Sequence, residues 1–514
     1  MSDSGGAPVA SPTHADSICL IIPPSPFLLD ERVFVSLGIL KVAAACEARG
    51  LHVEVLDLSG IENFEAVVRD HLTATNVNTF GLTATTPQMP AAARVASCIR
   101  EYHPQPRIIL GGPHPTLVHA AARRESKLQK QGRGQAALEQ LFAMVDVVVA
   151  GDGEEAIFSA ISPSAPRLID ADDPTTPLFL TNEQLTASPW AARHLVDIHE
   201  YRYEIEGRRA TSLIAQLGCP FNCGFCGGRD SPMLRRVRLR SSDNVVAELE
   251  HLYLTYGFQG FMFYDDELNV NKQLVDTMQQ ITDLQTRLGV DFRLRGFIKS
   301  ELFTSQQARA LYSAGFRWLL VGFESGSPRI LDNINKRATR EDNTRCLQIA
   351  HEHGLKIKAL MSVGHPGESA QTIQDTQDWL IASRPDDFDL TIITTYPGTP
   401  YFDQAEPHPT EAGVWVYTCP RSGDRLYADA IDYLTTADYY KGDPDGGYRS
   451  YVHTDQLTAE ALVQRRYDVE LRVRNELGIP FPTSTAKLAY EHSMGQGGQL
   501  PKSILRRSCH QKVA

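Results

Sequence analysis

Short runs of apolar residues alternate with stretches of helical apolar spacing over residues 18–157. Ile18–Ile22 is a continuous apolar run, which is typical of a strand buried in a parallel sheet. Residues 36–49 then carry apolar side chains at helical intervals, and Gly50 ends that helix. Further strands are expected at residues 53–57, 79–83, 107–110 and 145–150, with helices between them. This alternation predicts an α/β domain built on a doubly wound parallel sheet.

A second strand–helix series follows, and it ends near Pro400. Its strands recur at intervals that suit β/α units, so six of them predict a partial (β/α)6 TIM-type barrel. The expected strands are Ser212–Leu217, Gly260–Tyr264, Phe292–Phe297, Trp318–Phe323, Lys356–Ser362 and Leu390–Thr395. Beyond them, an aromatic-rich region leads to a charged amphipathic helix near residues 458–477. We therefore expect a small, mostly helical C-terminal region.

These patterns divide the chain into six parts. They are a disordered tail at 1–16, the N-terminal α/β domain at 17–160, a linker at 161–208, the barrel at 209–400, a substrate or cap region at 401–483 and a flexible tail at 484–514. The charges of the last helix indicate either a solvated face or a cover over the barrel mouth. The tyrosines before that helix either line a pocket or fill a small core.

Composition narrows the class of protein. The 514 residues are 42% hydrophobic and 22% charged, which excludes a disordered or fibrous chain. The net charge of −12 argues against a nucleic-acid partner. No apolar run is long enough to span a membrane, so no membrane partner is expected. Six of the nine cysteines are scattered singly, as in reduced thiols, and this favours a cytoplasmic location.

Glycine and proline are concentrated just after the strands of the first series. The loops are Pro23–Pro26, Thr83–Gln88, Gly111–Thr116 and Gly151–Glu155. Each loop alone is compatible with ordinary turn chemistry. Because ligands of such sheets bind beyond the carboxyl ends of the strands, four loops of this kind at one edge favour a large ligand.

The remaining three cysteines lie within eight residues, directly after the first strand of the second series. Cys219, Cys223 and Cys226 have the spacing C-x3-C-x2-C. Three thiolates on one loop can hold three irons of a 4Fe-4S cluster and leave the fourth iron open. A zinc site usually has a second cysteine pair or added histidines, and no second pair is present. The spacing therefore predicts a metal centre of the iron–sulfur type.

This cysteine loop resembles that of radical S-adenosylmethionine (SAM) enzymes. Later strand ends agree with the family in order, including Phe261–Glu267, Gly322–Ser327, Gly364–Glu368 and Tyr396–Pro400. The resemblance implies that SAM is bound by Asp265, Asp266, Glu267, Arg295, Glu324 and Ser325. It also suggests Tyr396, at the last strand, as a catalytic residue in contact with substrate.

The N-terminal domain resembles the Rossmann-like cobalamin-binding domain that precedes many radical SAM barrels. The implied cobalamin-binding residues are Pro24, Leu37, Thr83, Thr85, Thr86, Gln88, Gly111, Gly112, His114, Gly151, Gly153 and Glu154. The Asp-x-His-x-x-Gly motif of methionine-synthase-type domains is absent. We therefore expect cobalamin to meet residues 83–88 without a histidine on cobalt, and His114 to shape its loop.

The resemblance implies a cobalamin-dependent radical SAM methyltransferase. A reduced 4Fe-4S cluster would cleave SAM to a 5′-deoxyadenosyl radical, and methylcobalamin would donate a methyl group to an unactivated carbon. Two partners are expected: a small-molecule substrate and an electron donor of the flavodoxin or ferredoxin type. The default substrate is a secondary-metabolite intermediate, as in antibiotic biosynthesis. Two alternatives stay open: a cyclase or rearrangement enzyme with the same cofactors, and a non-catalytic cobalamin-binding sensor.

Overall fold

A six-stranded parallel sheet forms the N-terminal domain of the computed structural model, which describes residues 17–26, 28, 30–439 and 449–480. Its strand order is β2-β1-β3-β4-β5-β6. The strands are β1 (Ser17–Ile22), β2 (His52–Asp57), β3 (Thr79–Thr83), β4 (Arg107–Gly111), β5 (Val147–Gly151) and β6 (Leu168–Ala171). The order reverses between β1 and β3, which creates a crevice beyond the carboxyl ends of these strands.

Helices cover both faces of this sheet, because its strands are buried on both sides. The helices are α1 (Leu37–Ala48), α2 (Phe64–Ala74), α3 (Met89–Tyr102), α4 (Pro113–Lys127), α5 (Arg133–Met144) and α6 (Gly153–Ala160). Helices α1 and α6 pack together on one face, and α2, α3 and α5 pack on the other. The predicted doubly wound domain is confirmed.

A second, seven-stranded sheet forms the open barrel, in the order β15-β14-β13-β12-β11-β8-β7. Its strands are β7 (Glu204–Ile205), β8 (Arg208–Leu213), β11 (Gly260–Phe263), β12 (Arg293–Ile298), β13 (Phe316–Glu324), β14 (Lys356–Val363) and β15 (Asp387–Ile392). Six strands run parallel, and only the short β7 is antiparallel to its neighbour. The predicted fold class, a parallel sheet followed by a partial (β/α)6 barrel, is confirmed.

The remaining barrel elements are the strand pair β9 (Gln216–Leu217) and β10 (Arg238–Leu239) and the helices α8 (Pro232–Arg235), α9 (Ser242–Tyr256), α10 (Leu274–Leu288), α11 (Ser305–Ala314), α12 (Pro328–Asn333), α13 (Arg340–Glu352) and α14 (Ala370–Ser383). The first and last barrel strands lie a few residues earlier than expected. The first begins at Arg208, because Arg208 and Arg209 pair with the short β7.

No helix in the described part of the chain is both long and apolar enough to cross a membrane.

The segment expected as a linker contributes to both sheets. It contains β6, the edge strand of the first sheet, as well as helix α7 (Asn182–Ala187) and strand β7. The β6 strand pairs with β5 from Val148 to Gly151. A four-residue strand has too few positions to give a periodic signal among the surrounding proline and aspartate residues. The two domains are therefore joined by a structured connection.

The C-terminal region contains a sheet that the sequence analysis did not predict. Beside α15 (Pro400–Asp403) and the long helix α16 (Ala459–Leu477), it has the antiparallel strands β16 (Glu406–Pro407), β17 (Val414–Thr418), β18 (Arg425–Asp429) and β19 (Val452–Thr454). The expectation of a mostly helical region therefore missed this sheet, whose strands are two to five residues long. The expected tails at 1–16 and 484–514 lie outside the described residues.

Candidate functional site

A mostly apolar cavity of about 460 Å³ lies between the first sheet and the barrel. It is lined by the carboxyl ends of β3, β4 and β5, the start of α1, and residues 214–217 and 233–240 of the barrel side. Nine of the twelve residues expected to bind cobalamin line it: Leu37, Thr83, Thr85, Gln88, Gly111, Gly112, Gly151, Gly153 and Glu154. The structure thus brings most of the predicted strand-end residues to one surface.

Two glycines of this surface have conformations that other residues avoid. Gly112 has φ +99° and ψ −169°, a region that is essentially restricted to glycine. A Cβ atom there would lie 2.5 Å from the Thr83 hydroxyl. Gly151 has φ +97°, and a Cβ atom on it would lie 2.3 Å from the backbone of Ala171 and Asp172. Glycine is therefore required at both positions by close contact with neighbouring protein atoms.

The loops after β1 and β3 are fastened to each other across the crevice. The Gln88 amide donates hydrogen bonds to the Ser25 hydroxyl at 2.9 Å and to the Pro23 carbonyl at 3.2 Å. The Gln88 Oε1 atom accepts from the Thr85 backbone N–H at 3.0 Å. These bonds use both ends of the Gln88 side chain, so the cavity wall at residues 85–88 is held in one shape.

His114 is set back from the cavity. It is buried, and its Nδ1 atom lies 3.1 Å from the hydroxyl of Thr86. Burial lowers the pKa of His114 to about 3, so its ring is neutral at physiological pH. Neither His114 nor Thr86 nor Pro24 is among the lining residues, and no histidine of the described chain lines the cavity. These three expected cobalamin-binding residues therefore lie outside the cavity lining, where His114 and Thr86 contact each other.

The cysteine loop is enclosed by the strand pair β9–β10. Cys219 and Cys223 are partly exposed and Cys226 is exposed, whereas the other five described cysteines are buried. The Gly224 N–H donates to the Ile334 carbonyl at 2.6 Å, which fixes the middle of the loop against the barrel. Burial raises the pKa of Cys219 to about 11, and a bound metal would favour its thiolate form. Three accessible thiols on one anchored loop fit an iron–sulfur cluster.

The acidic segment after β11 lies beside this loop. The Asp265 carboxylate accepts from the Ala215 N–H at 2.8 Å, and burial raises the pKa of Asp265 to about 7. Burial likewise raises the pKa of Glu267 to about 7, although Lys336 and Lys299 oppose this shift. The Glu267 Oε2 atom is buried without a hydrogen-bond partner. Asp266, between them, is exposed. The segment therefore presents acceptors that an ammonium or hydroxyl group can use.

Glu324 occupies the bulged end of β13 with φ +66°, a conformation that is uncommon outside glycine. Its Oε1 atom accepts from Lys336 Nζ at 3.0 Å and its Oε2 atom from the Ser362 hydroxyl at 2.9 Å. Burial alone would raise the pKa of Glu324, but Lys336 and Ser362 outweigh it, and the pKa is lowered. Glu324 is therefore held as a carboxylate at the barrel mouth.

Lys336 and Ser362 were missed by the sequence analysis. Ser362 also bonds His365 at 2.8 Å, and His365 bonds the Tyr401 hydroxyl at 3.1 Å. His365 is fully buried, and burial lowers its pKa to about 4. This histidine therefore fixes its loop through Ser362 and Tyr401. A lone lysine in a polar loop and a serine in an apolar strand carry no local signal that would have identified them.

The other expected residues lie in different surroundings. The Ser325 hydroxyl bonds Thr376 at 3.0 Å and accepts from the Ser327 N–H, so it braces its own loop. Arg295 is buried on β12, with its guanidinium 5.6 Å from the Trp318 ring. Tyr396 lies beside the cysteine loop, where its hydroxyl would be 3.3 Å from a Cβ atom at Gly227.

The C-terminal aromatics form a small core in the described part of the region. Phe402, Tyr433 and Tyr439 are buried against one another, with ring centroids 6.2 Å and 5.4 Å apart. The Tyr433 hydroxyl donates to the Thr395 carbonyl at 2.8 Å. Of the two alternatives left open for the tyrosines, this arrangement favours packing over a substrate pocket.

Two family models match the chain, in the same order as its two large sheets. The B12 binding domain matches residues 31–142, and the Radical SAM superfamily matches residues 213–380. Together they include the first sheet's strand-end loops after β3 and β4, the cysteine loop, and the residues around Glu324.

Curated relatives include both methyltransferases and cyclases. An uncharacterized methyltransferase of Pyrococcus horikoshii is 26% identical over 331 residues, which are 63% of this chain and 68% of the relative. The anaerobic magnesium-protoporphyrin IX monomethyl ester cyclase of Rubrivivax gelatinosus is 25% identical over 380 residues, which are 71% of this chain and 64% of the cyclase.

A solved structure shares the fold. It is the radical S-adenosylmethionine methyltransferase TsrM from Kitasatospora setae, determined with cobalamin and a 4Fe-4S cluster bound. The TM-score is 0.61 at 18% identity, and the match covers 88% of this chain and 91% of TsrM.

Proposed function

Because this chain combines a B12-binding domain with a radical SAM domain, we propose that it is a cobalamin-dependent radical SAM C-methyltransferase. Its substrate is a small molecule with an unactivated carbon, of the secondary-metabolite class. The observation that carries this proposal is the shared cavity, whose wall includes both the strand ends of the first sheet and the segments 214–217 and 233–240 that flank the cysteine loop. One space next to both sites allows hydrogen abstraction and methyl donation to act on one substrate.

The residues present fit the three cofactors. Cys219, Cys223 and Cys226 would hold a 4Fe-4S cluster, and the glycine-lined surface around Gly112 and Gly151 would hold cobalamin. With SAM bound as well, these groups supply one-electron cleavage of SAM and a transferable methyl group. An electron donor of the flavodoxin or ferredoxin class would reduce the cluster.

The protein's own residues would bind the cofactors and orient SAM. The ionised Glu324, fixed by Lys336 and Ser362, would accept hydrogen bonds from SAM. The unpartnered Glu267 Oε2 atom and the Asp265 carboxyl would receive the positive end of the SAM methionine. No histidine of the described chain lines the cavity, so residues of the strand-end loops, such as Thr83, Thr85 and Gly112, would hold cobalamin there.

A second candidate is a radical cyclase that uses the same cofactors without methyl transfer. It is favoured by the similarity to the Rubrivivax cyclase, which is 25% identical to this chain, compared with 26% for the Pyrococcus methyltransferase. The residues that bind cofactors are shared by both reactions, so the reaction product has to decide between them.

The deciding experiment uses SAM with a CD3 methyl group. Reconstituted protein, a chemical reductant and metabolite extract of the source organism are incubated with CH3- or CD3-labelled SAM in parallel. A methyltransferase yields a product pair that differs by the label mass, with one S-adenosylhomocysteine and one 5′-deoxyadenosine formed per product. A cyclase yields 5′-deoxyadenosine and an unlabelled product.

A matched control variant distinguishes SAM cleavage by this protein's cluster from SAM cleavage by contaminating enzymes. The triple variant Cys219→Ala, Cys223→Ala, Cys226→Ala should lose the brown chromophore and all SAM cleavage while it still binds cobalamin. If this variant kept the cluster absorbance, the cluster assignment would be wrong.

A further inference from the structure

The segment that follows the cysteine loop is held by two carboxylates of the first domain. After Cys226 the chain forms the short helix α8 and then β10, which closes the loop against β9. Asp172 fastens the start of α8, and Asp152 fastens β10. Neither residue belongs to the barrel, although both determine where one arm of the cysteine loop lies.

Asp172 binds the start of α8 from outside the cavity. Its side chain is fully buried just after β6. The Oδ1 atom accepts from the Ser231 hydroxyl at 2.7 Å and from the Met233 N–H at 2.8 Å. The Oδ2 atom accepts from Arg123 at 2.7 Å, and the same Arg123 nitrogen donates to the Asp230 carbonyl at 2.8 Å. Residues 230–233 are thus bound to the first domain by three hydrogen bonds.

Asp172 also touches the wall of the cavity through its backbone. Gly151, which lines the cavity, is in register with Ala171, and a Cβ atom at Gly151 would lie 2.3 Å from the Asp172 nitrogen. Gly151 therefore connects the cavity to Asp172, and Asp172 contacts Ser231, which follows the cysteine loop in the chain. The Asp172 side chain itself is outside both the cavity lining and the cysteine loop.

Asp152 offers a parallel connection but a poorer test. Its carboxylate receives both terminal nitrogens of Arg238, and its Oδ2 atom also accepts from the Leu180 N–H at 2.9 Å. Both Asp152 and Arg238 line the cavity, so a substitution at either would change the ligand surface directly.

We propose that Asp172 is a positioning residue that couples cobalamin binding to retention of the iron–sulfur cluster. The inference rests on the proposed function, since it requires both cofactors to bind. Cobalamin in the cavity orders the end of β5 and the adjoining Asp172, which then holds the arm of the cysteine loop in the cluster-binding position. By linkage, the cluster strengthens cobalamin binding by the same factor.

The test measures iron loss rather than catalysis. Cluster-reconstituted protein is mixed anaerobically with a ferrous-iron chelator, with and without saturating hydroxocobalamin, and the decay of the brown absorbance is followed. In the unaltered protein, cobalamin should slow this decay about fivefold or more, the lower end of ordinary allosteric coupling. In Asp172→Ala the decay without cobalamin should be faster, and cobalamin should change it less than about twofold.

Two further variants distinguish positioning from a general loss of stability. Asp172→Asn keeps an acceptor for Ser231 and Met233 and should restore most of the cobalamin effect. Asp173→Asn is the matched control, because within the described residues the Asp173 side chain hydrogen-bonds only the neighbouring Thr175. It should behave like the unaltered protein.

Each result supports or overturns the proposal. An unchanged cobalamin effect in Asp172→Ala overturns it. Should Asp172→Ala not fold, Ser231→Ala takes its place, and a cobalamin effect equal to that of the unaltered protein there counts against the coupling. If the unaltered protein holds both cofactors but cobalamin does not slow iron loss, the coupling fails while the proposed function stands. If it assembles no cluster or binds no cobalamin, the proposed function fails with it.

Discussion

At the scale of single residues, the carboxyl group of Glu368 is the clearest source of pH dependence. Glu368 is 1% exposed, at the turn after β14. Its Oε2 atom accepts from the Gly364 N–H at 3.1 Å and its Oε1 atom from the Thr372 hydroxyl at 2.5 Å. Burial raises the pKa of Glu368 from 4.5 to about 7, so the folded protein binds this proton more tightly than the unfolded chain.

The free energy of unfolding should therefore fall as the pH rises from about 4.5 to about 7 because of this group. The variant Glu368→Gln has no carboxyl group to titrate at this position. The free energy of unfolding of the unaltered protein minus that of the variant should therefore decrease across that range by about 1–3 kcal/mol. Urea denaturation at a series of pH values measures this difference. The exposed Glu352→Gln should show no such trend, and a flat difference for Glu368→Gln would contradict the prediction.

How much of the site could be predicted from the sequence depends on how local each residue's partners are. The cysteine loop and the glycine-rich strand ends are local patterns, and nine expected residues do line one cavity. Lys336 gains its role only through Glu324, and Asp172 only through Ser231, which lies 59 positions further along the chain. Such pairs exist only after folding, so periodicity and motif spacing could not identify them.

At the scale of elements, helix α16 protects the open edge of the barrel. Strand β15 ends the seven-stranded sheet, and its outer backbone groups would be unpaired. Side chains of α16 pair with them: Glu470 accepts from the Leu390 N–H at 3.0 Å, and Arg466 donates to the Leu390 carbonyl at 2.6 Å. These charged residues are buried. The two expected alternatives, a solvated face or a cover over the barrel mouth, did not include this role.

Removing the central carboxylate of this arrangement should be costly. Glu470→Ala leaves the buried Arg466 and Arg474 without their shared partner and the Leu390 N–H unpaired. We expect a loss of about 3–5 kcal/mol in the free energy of unfolding, together with aggregation through the exposed edge. Urea denaturation and light scattering measure the two effects. Glu476→Ala, on the exposed side of the same helix, should change stability by less than about 0.5 kcal/mol.

At the scale of the whole molecule, a ligand bound in the cavity between the first sheet and the barrel should raise the free energy of unfolding. Hydroxocobalamin at a hundred times its Kd should raise the free energy of unfolding by about 2.7 kcal/mol. Gly111→Phe places a ring in the cavity and should abolish this gain. Gly111→Ala should keep it, because a Cβ atom there meets only Val149 at 3.9 Å. A gain that survives in Gly111→Phe would place cobalamin outside this cavity.

The architecture was predictable from the sequence where elements are long and periodic. Both parallel sheets follow from apolar runs that alternate with helical spacing. The strands that were missed, such as β6 and β16 to β19, have two to five residues and lie in polar or aromatic segments. Their pairing depends on contacts with elements already folded, which a local pattern does not contain.

The protection of β15 by α16 has a consequence during protein synthesis. Helix α16 begins at residue 459, and β15 ends at residue 392, so the ribosome adds more than sixty residues between them. At roughly 5–20 residues per second, the nascent barrel waits several seconds with one strand edge uncovered. During this interval the growing chain is a target for chaperones and for other nascent barrels on the same messenger RNA. Messages that end before the codons for α16 should therefore yield inclusion bodies, however well the cofactor-binding parts are encoded.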